Sequence, residues 1–247
     1  MRRFLLLALL LAPLVLIAQA RTFDIYWIDV EGGAATLVVT PSGQSMLVDT
    51  GYATDGRDAK RIYAATQQAG LKQIDHLVIS HYHADHVGGL EAVSKMIPIG
   101  HFYGRGDKIE PADQKMYDSF RTVSAGKRTI VKPGDRIPLD SAAQVLVVSS
   151  DHQLLNQPVN GGGPNALCAT AEQKATAGWE NQAGVGLLLT YNRFTFLDSI
   201  DMDWSTELEL VCPVNKVGAV TVFQSNRHGA WDGAGAPAFL EIGRAHV

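Results

Sequence analysis

Six residues constrain this chain more than any other part of it. His81-Tyr82-His83-Ala84-Asp85-His86 sets three histidines and an aspartate directly after the largely apolar run Ile74-Asp75-His76-Leu77-Val78-Ile79-Ser80 and directly before Val87-Gly88-Gly89. The run reads as a strand buried in a covered sheet, so the histidines emerge at a strand end. In extended backbone alternate side chains point the same way, which puts His81 and His83 together; Asp85 and His86 then turn toward a second position. Neutral imidazole and carboxylate are the donors that suit a borderline cation such as zinc, and satisfied surface histidines do not account for this density. Metal binding is the expected use of the segment.

The rest of the chain reads as strands and helices in alternation. Strands are expected over 23–30, 36–40 and 45–49, joined by turns at Glu31-Gly32-Gly33 and Pro41-Ser42-Gly43. A helix follows over 57–69, with Gly70 placed to end it. Beyond the histidines, 88–96 and 112–125 read as helices, 136–139 and 144–149 as strands, 184–190 and 194–197 as a hairpin, 204–211 as a helix and 219–223 as a strand. His76 on a strand and His101 in a loop are expected to be structural. Residues 151–182 are rich in Gly, Asn, Gln and Ala with weak periodicity, and a loop of that length is normally functional or mobile. No repeat or Pro-rich linker divides the chain, so one layered α/β or α+β domain is expected.

The histidine segment resembles the H-x-H-x-D-H of the metallo-β-lactamase-fold hydrolases, and more of the chain follows their competence-protein-like branch. Asp29-Val30-Glu31-Gly32-Gly33-Ala34 and Leu47-Val48-Asp49-Thr50-Gly51 resemble that branch's D-V-G-Q-G-D and D-T-G; Phe196-Leu197-Asp198-Ser199-Ile200-Asp201 resembles F-L-F-T-G-D; and Asn226-Arg227-His228-Gly229 resembles the late H-H-G. The resemblance implies an α+β fold, the four-layer αβ/βα sandwich, with metals at one edge between the sheets. It further implies that His81 and His83 hold one ion, that Asp85, His86 and His228 hold the other, that Asp201 bridges them, and that Asp49 orients the histidine loop from behind. Two zinc ions are expected, with Mn2+ or Fe2+ as alternatives. Ile200 departs from the family's Gly and Arg227 from its first His. A further ligand histidine of many members has one counterpart here, His152, while the competence-like branch commonly lacks it and has Asn near the position of Asn181. Without either, the first metal site is one ligand short.

Both ends of the chain stand apart. Arg2 and Arg3 precede an apolar run over 4–17 and then Ala18-Gln19-Ala20, which reads as a secretory signal peptide over 1–20; a membrane anchor is the alternative, but the run is shorter than the ~20 residues of a span. At the other end, 242–247 can be encoded by a string that matches the start of a widely used sequencing adapter. Residues 241–247 are therefore expected to be a non-native tail on a hydrolase domain of 21–240, which the fold would continue with further C-terminal elements. That native part carries 18 basic and 24 acidic residues, a formal charge of −6, and argues against a stable nucleic-acid partner. Export makes a disulfide between Cys168 and Cys212 possible; two buried free thiols are the alternative.

The reaction expected of such a centre is attack by metal-bound hydroxide on an ester, lactone, amide or phosphodiester, with Asp85 and Asp201 as the catalytic carboxylates. The resemblance slightly favours a phosphodiester; a β-lactam substrate, or a non-catalytic metal- or partner-binding protein on the same fold, are the alternatives. No phosphate-cradling loop competes, since Gly161-Gly162-Gly163 lacks the Lys-Ser/Thr that would follow. Localisation is expected to be periplasmic or secreted, with a small-molecule or phosphodiester partner and no membrane span in the mature chain.

Overall fold

The computed structural model describes residues 22–175, 178–230 and 232–243; the expected signal peptide lies outside the described residues. Strand β1 (Asp24–Trp27) pairs antiparallel with β2 (Thr36–Val39), and β2 with β3 (Ser45–Val48). Helix α1 (Arg57–Gln68) then carries the chain to β4 (Ile74–Ile79), parallel to β3 with Val48 opposite Val78. Helices α2 (Ala84–Val87) and α3 (Leu90–Met96) lead to β5 (Ile99–Gly104), and α4 (Gln114–Val123) leads to β6 (Arg128–Ile130), both strands again parallel to their neighbours. These form a sheet in the order β1-β2-β3-β4-β5-β6.

The second half of the chain builds another sheet. Strands β7 (Arg136–Pro138), β8 (Ala143–Ser150) and β9 (Gln153–Leu154) come first, followed after α5 (Trp179–Gln182) by β10 (Gly186–Tyr191) and β11 (Phe194–Asp198). Helix α6 (Trp204–Val211), β12 (Val222–Phe223) and α7 (Pro237–Leu240) follow. The order is β12-β11-β10-β8-β7, with β9 on the end of β8.

Alternation along the strands explains why the sheets stack. Leu37, Val39, Leu77 and Ile79 face a core with Ile62, Val93 and Phe120 from α1, α3 and α4. Their neighbours Val38, Met46 and Val78 face the other way, into a core shared with Val145, Val147, Leu187, Leu189 and Phe196 of the second sheet. In turn Val148, Leu188 and Leu197 face α6 and α7 through Leu208, Val211 and Phe239. The central strands are thus apolar on both faces because the sheets are covered on both there, and every fully buried Phe or Leu here contributes about 1.5–3 kcal/mol of transfer free energy. The result is the expected α+β sandwich, helix–sheet–sheet–helix.

Several elements differ from expectation. The helix expected over 88–96 is found over Leu90–Met96, and a separate helical turn, Ala84–Val87, precedes it. His101 lies not in a loop but on β5, opposite His76 on β4, with Nε2 2.8 Å from Thr129 Oγ1. Between 151 and 182 the chain forms β9, a 3-10 turn over Ala166–Thr170 and α5. Cys168 and Cys212 are joined in a disulfide, tying that turn to the end of α6. Within the tail expected to be non-native, Ile242 is 4% exposed in the third core and its carbonyl accepts the Val220 N–H; 244–247 lie outside the described residues.

Candidate metal centre

The histidine loop sits at the C-terminal end of β4, held against the β1–β2 turn and the segment after β3. Asp85 O accepts the Ala34 N–H at 3.1 Å, and a Cβ on Gly33 would lie 2.5 Å from that same oxygen. A Cβ on Gly89 would lie 2.1 Å from Thr50 O. Only glycine admits these approaches, which is why Glu31-Gly32-Gly33 and Val87-Gly88-Gly89 bracket the site.

Asp49 organises the loop from behind. Fully buried, with φ at +62°, it accepts hydrogen bonds from Ser80 N (2.8 Å), Ser80 Oγ (2.6 Å) and His86 Nδ1 (2.7 Å). Because the Ser80 hydroxyl proton goes to Asp49, its oxygen accepts from His81 Nδ1 at 3.0 Å. His81 and His86 therefore both present Nε2 forward, a use of outer hydrogen bonds to set tautomers that is common around metals. His81 Nε2 lies 2.9 Å from His83 Nδ1, and the His81 and His86 rings are 4.0 Å apart. Burial, with His86 close by, lowers the pKa of His81 well below the ordinary value.

The second group comes from three separate parts of the chain. One ligand atom from each of Asp85, His86, Asp201 and His228 lies within 4.8 Å of the others. His86 Nε2 is 3.5 Å from Asp85 Oδ2 and from Asp201 Oδ1, and His228 Nε2 is 3.3 Å from each of the same oxygens. His86 Nε2 is buried without a hydrogen-bond partner, a costly condition that a cation would relieve. The carboxylates resist protonation: burial alone would raise them, but His228 and His86 outweigh it and hold both well below the usual range. His228 is pushed up to about 9 by Asp201 and then Asp85. Two acids and two imidazoles balanced in this way fit a divalent cation, which would replace the histidine protons.

Backbone strain gathers here. Ile200, Arg227 and His228 have φ of +53°, +48° and +55°, a region that costs an L-residue roughly 1–2 kcal/mol and that persists where surrounding structure enforces it. The Arg227 N–H bonds to Ile200 O at 2.9 Å, so the turns bearing Asp201 and His228 hold each other.

Of the two candidates for a further ligand, the structure brings Asn181 to the centre: its Nδ2 donates to Asp201 Oδ2 at 3.4 Å. His152 instead packs against Trp179, with ring centroids 4.2 Å apart and planes tilted by 52°. Sequence reading missed the support behind these groups. Fully buried Arg105 donates to Glu180 through Nε (3.0 Å) and Nη2, and Glu180 Oε1 accepts the N–H of Tyr82, the residue between His81 and His83, at 2.7 Å. Glu110 and Asp113 cluster with Glu180, whose charge is already met by Arg105.

Asp198, within the Phe196–Asp201 segment, is fully buried and neither oxygen has a hydrogen-bond partner. Burial, then the nearby charge of Asp49, push its pKa up to about 8. With the pKa raised, the folded chain keeps a proton between about pH 4 and 8 that the unfolded chain releases, so stability falls as pH rises through that window. With metal removed by chelation, the melting temperature relative to Asp198→Asn should drop by several degrees from pH 5 to pH 8. A difference that is the same at both pH values would exclude this titration.

Comparison with known proteins supplies the remaining findings. A family model described as the metallo-beta-lactamase superfamily matches residues 28–169. The competence protein ComA of Neisseria gonorrhoeae is 35% identical over 72 residues, which are 29% of this chain and 10% of that protein. Among solved structures, a metallo-beta-lactamase fold protein, YhfI from Bacillus subtilis, is 13% identical with a TM-score of 0.47, over 79% of this chain and 63% of that one. A Cronobacter sakazakii protein with the HARLDQ motif is 13% identical with a TM-score of 0.45, over 72% of this chain and 60% of that one. This chain thus spans a tenth of the competence protein's length and about six tenths of these structures.

Proposed function

The chain belongs to the metallo-beta-lactamase superfamily, and on that premise we propose that it is a metal-dependent hydrolase with two zinc ions, acting on an ester, lactone, amide or phosphodiester. The observation that carries this reading is the convergence of Asp85, His86, Asp201 and His228, with the buried His86 Nε2 facing two carboxylate oxygens at 3.5 Å and making no hydrogen bond. Mn2+ or Fe2+ would suit the same donors less selectively.

In this reading His81 and His83 hold one ion, Asp85, His86 and His228 the other, and Asp201 serves both. Bound there, the metals would supply Lewis acidity and lower the pKa of water toward neutrality. The chain's own residues do the positioning. Asp49 and Ser80 fix two imidazoles in the tautomers that present Nε2. Asn181 holds Asp201 by one oxygen and leaves the other toward His86 and His228. Asp85 and Asp201 stay ionised at neutral pH, so they would serve to hold a cation and to orient a nucleophile beside them by accepting its hydrogen bond.

We also assign the hydrolase domain to 21–240 and its place to an exported compartment. The disulfide supports an oxidising environment, and no helix among the described residues is long and apolar enough to cross a membrane.

Metal analysis together with a substrate panel tests the proposal. Protein loaded with Zn2+ and dialysed should retain about two equivalents and turn over at least one of an aryl ester, a lactone, a cephalosporin and bis-4-nitrophenyl phosphate. Asp85→Ala and His228→Ala should reduce that rate by roughly a hundredfold or more. Less than one bound ion with no turnover would favour a non-catalytic binding protein, and undiminished turnover in both variants would overturn the site.

A further inference from the structure

Asp201 and His228 also form one end of a cleft of about 510 Å³ between the edges of the two sheets. Its lining is mixed: Trp27, Ile28 and Ala35 supply apolar surface, and Thr36, Gln224 and Ser225 stand with Asp201 and His228 as polar groups. Trp27 is 46% exposed, with its ring centroid 5.7 Å from that of Phe196, which leaves aromatic surface free to meet an apolar group of a ligand. Ile200, beside Asp201, is strained at φ +53°, and its side chain is 3% exposed within the core between the sheets.

The charges of the cleft point the same way. No lysine or arginine lines it. Glu31 stands at its rim, and the nearby Arg57 guanidinium is already engaged by Glu31 at 2.6 Å and Asp58 at 2.6 Å. An anionic substrate would meet carboxylates and find no cation other than bound metal. Among its polar groups, Gln224 has its side-chain oxygen engaged, accepting from Thr36 at 3.0 Å, which leaves its amide N–H groups to donate to a carbonyl.

We infer that this cleft is the substrate site of the proposed hydrolase and selects uncharged carboxylic esters or lactones with an extended apolar acyl group, rather than phosphodiesters. The acyl chain lies along Trp27 and Ile28, with the carbonyl toward Asp201 and His228. The inference rests on the hydrolase reading for its chemistry and on the cleft alone for its selectivity.

The test is a series of 4-nitrophenyl esters sharing one leaving group. From acetate to butyrate to hexanoate, kcat/KM should rise about fourfold per methylene, the factor for burying a CH2 group. Mono-4-nitrophenyl succinate, which carries a carboxylate on a chain of butyrate length, should be at least about tenfold poorer than the butyrate, like charges in such a cleft being strongly disfavoured. Trp27→Ala should flatten the chain-length series, the hexanoate losing at least about fivefold more kcat/KM than the acetate. A flat series in the parent protein, or a succinate half-ester as good as the butyrate, would overturn the inference while leaving the hydrolase reading intact. If no ester is turned over, the unreactive hexyl phenyl ketone distinguishes the cases. Quenching of tryptophan fluorescence that disappears in Trp27→Ala keeps the cleft and refutes the hydrolase; no quenching refutes the cleft.

Discussion

Asp201→Ala should bind zinc at least about a thousandfold more weakly than the parent protein, retaining less than one equivalent of Zn2+ after dialysis and losing turnover by a similar factor. The estimate follows from Coulomb's law: unit charges 4 Å apart interact by about 4 kcal/mol at an effective dielectric constant of 20, and each 1.4 kcal/mol is tenfold in affinity. Asp201 is the carboxylate most engaged here, with Oδ1 at 3.5 Å from His86 Nε2 and 3.3 Å from His228 Nε2, and Oδ2 bonded to Asn181. Asp201→Asn, which keeps the shape and loses the charge, should behave nearly as badly. A second readout needs no metal. Asp201 is the main cause of the raised His228 pKa of about 9, so in metal-free Asp201→Ala the His228 imidazole should titrate nearer its ordinary value by NMR. Normal metal content together with an unchanged His228 would remove Asp201 from the centre.

The parts of this architecture that were legible in the sequence are those fixed by neighbours in the chain. The run 74–80 followed by the histidines is local, and so are the alternations that place Leu77 and Val78 on opposite faces. Strand β5 escaped because Ile99-Gly100-His101-Phe102-Tyr103-Gly104 contains two glycines and a histidine and so lacks a strand's usual composition. It is a strand because β4 and β6 lie on either side of it. The choice between His152 and Asn181 could not be made locally either. Both lie in the polar stretch over 151–182, and only the folding of Trp179–Gln182 into a helical turn brings Asn181 to Asp201. Ile200 was visible as a departure from a family pattern, but its left-handed backbone was not, since that depends on the Arg227 N–H reaching its carbonyl. Arg105 and Glu180 carried no sequence signal at all: 75 residues apart, each reads alone as an ordinary exposed charge.

That pair carries the largest expected effect on stability. Arg105 is fully buried, lies 4.6 Å from the Tyr82 ring centroid and 5.0 Å from that of Trp179, and finds its carboxylate in Glu180. Glu180→Ala would leave a guanidinium in the interior with its main counter-charge gone and would strip the Tyr82 N–H of its acceptor. Breaking a buried pair from one side costs about 3–5 kcal/mol, and for a domain of this size each kcal/mol shifts the melting temperature by about 2–4 °C. A drop on the order of 10 °C is therefore expected by calorimetry. Glu180→Gln, which can still accept from Tyr82, should lose less. Replacing both partners, Arg105→Met with Glu180→Leu, should also cost less than the sum of the single changes, because no unpaired charge remains. Since Tyr82 lies between His81 and His83, Glu180→Ala should in addition weaken the ion assigned to those two histidines more than the ion assigned to Asp85, His86 and His228, read as loss of one of two zinc equivalents before the other. A melting temperature within 2 °C of the parent, or equal weakening of both ions, would show that the pair neither supports the fold nor positions the loop.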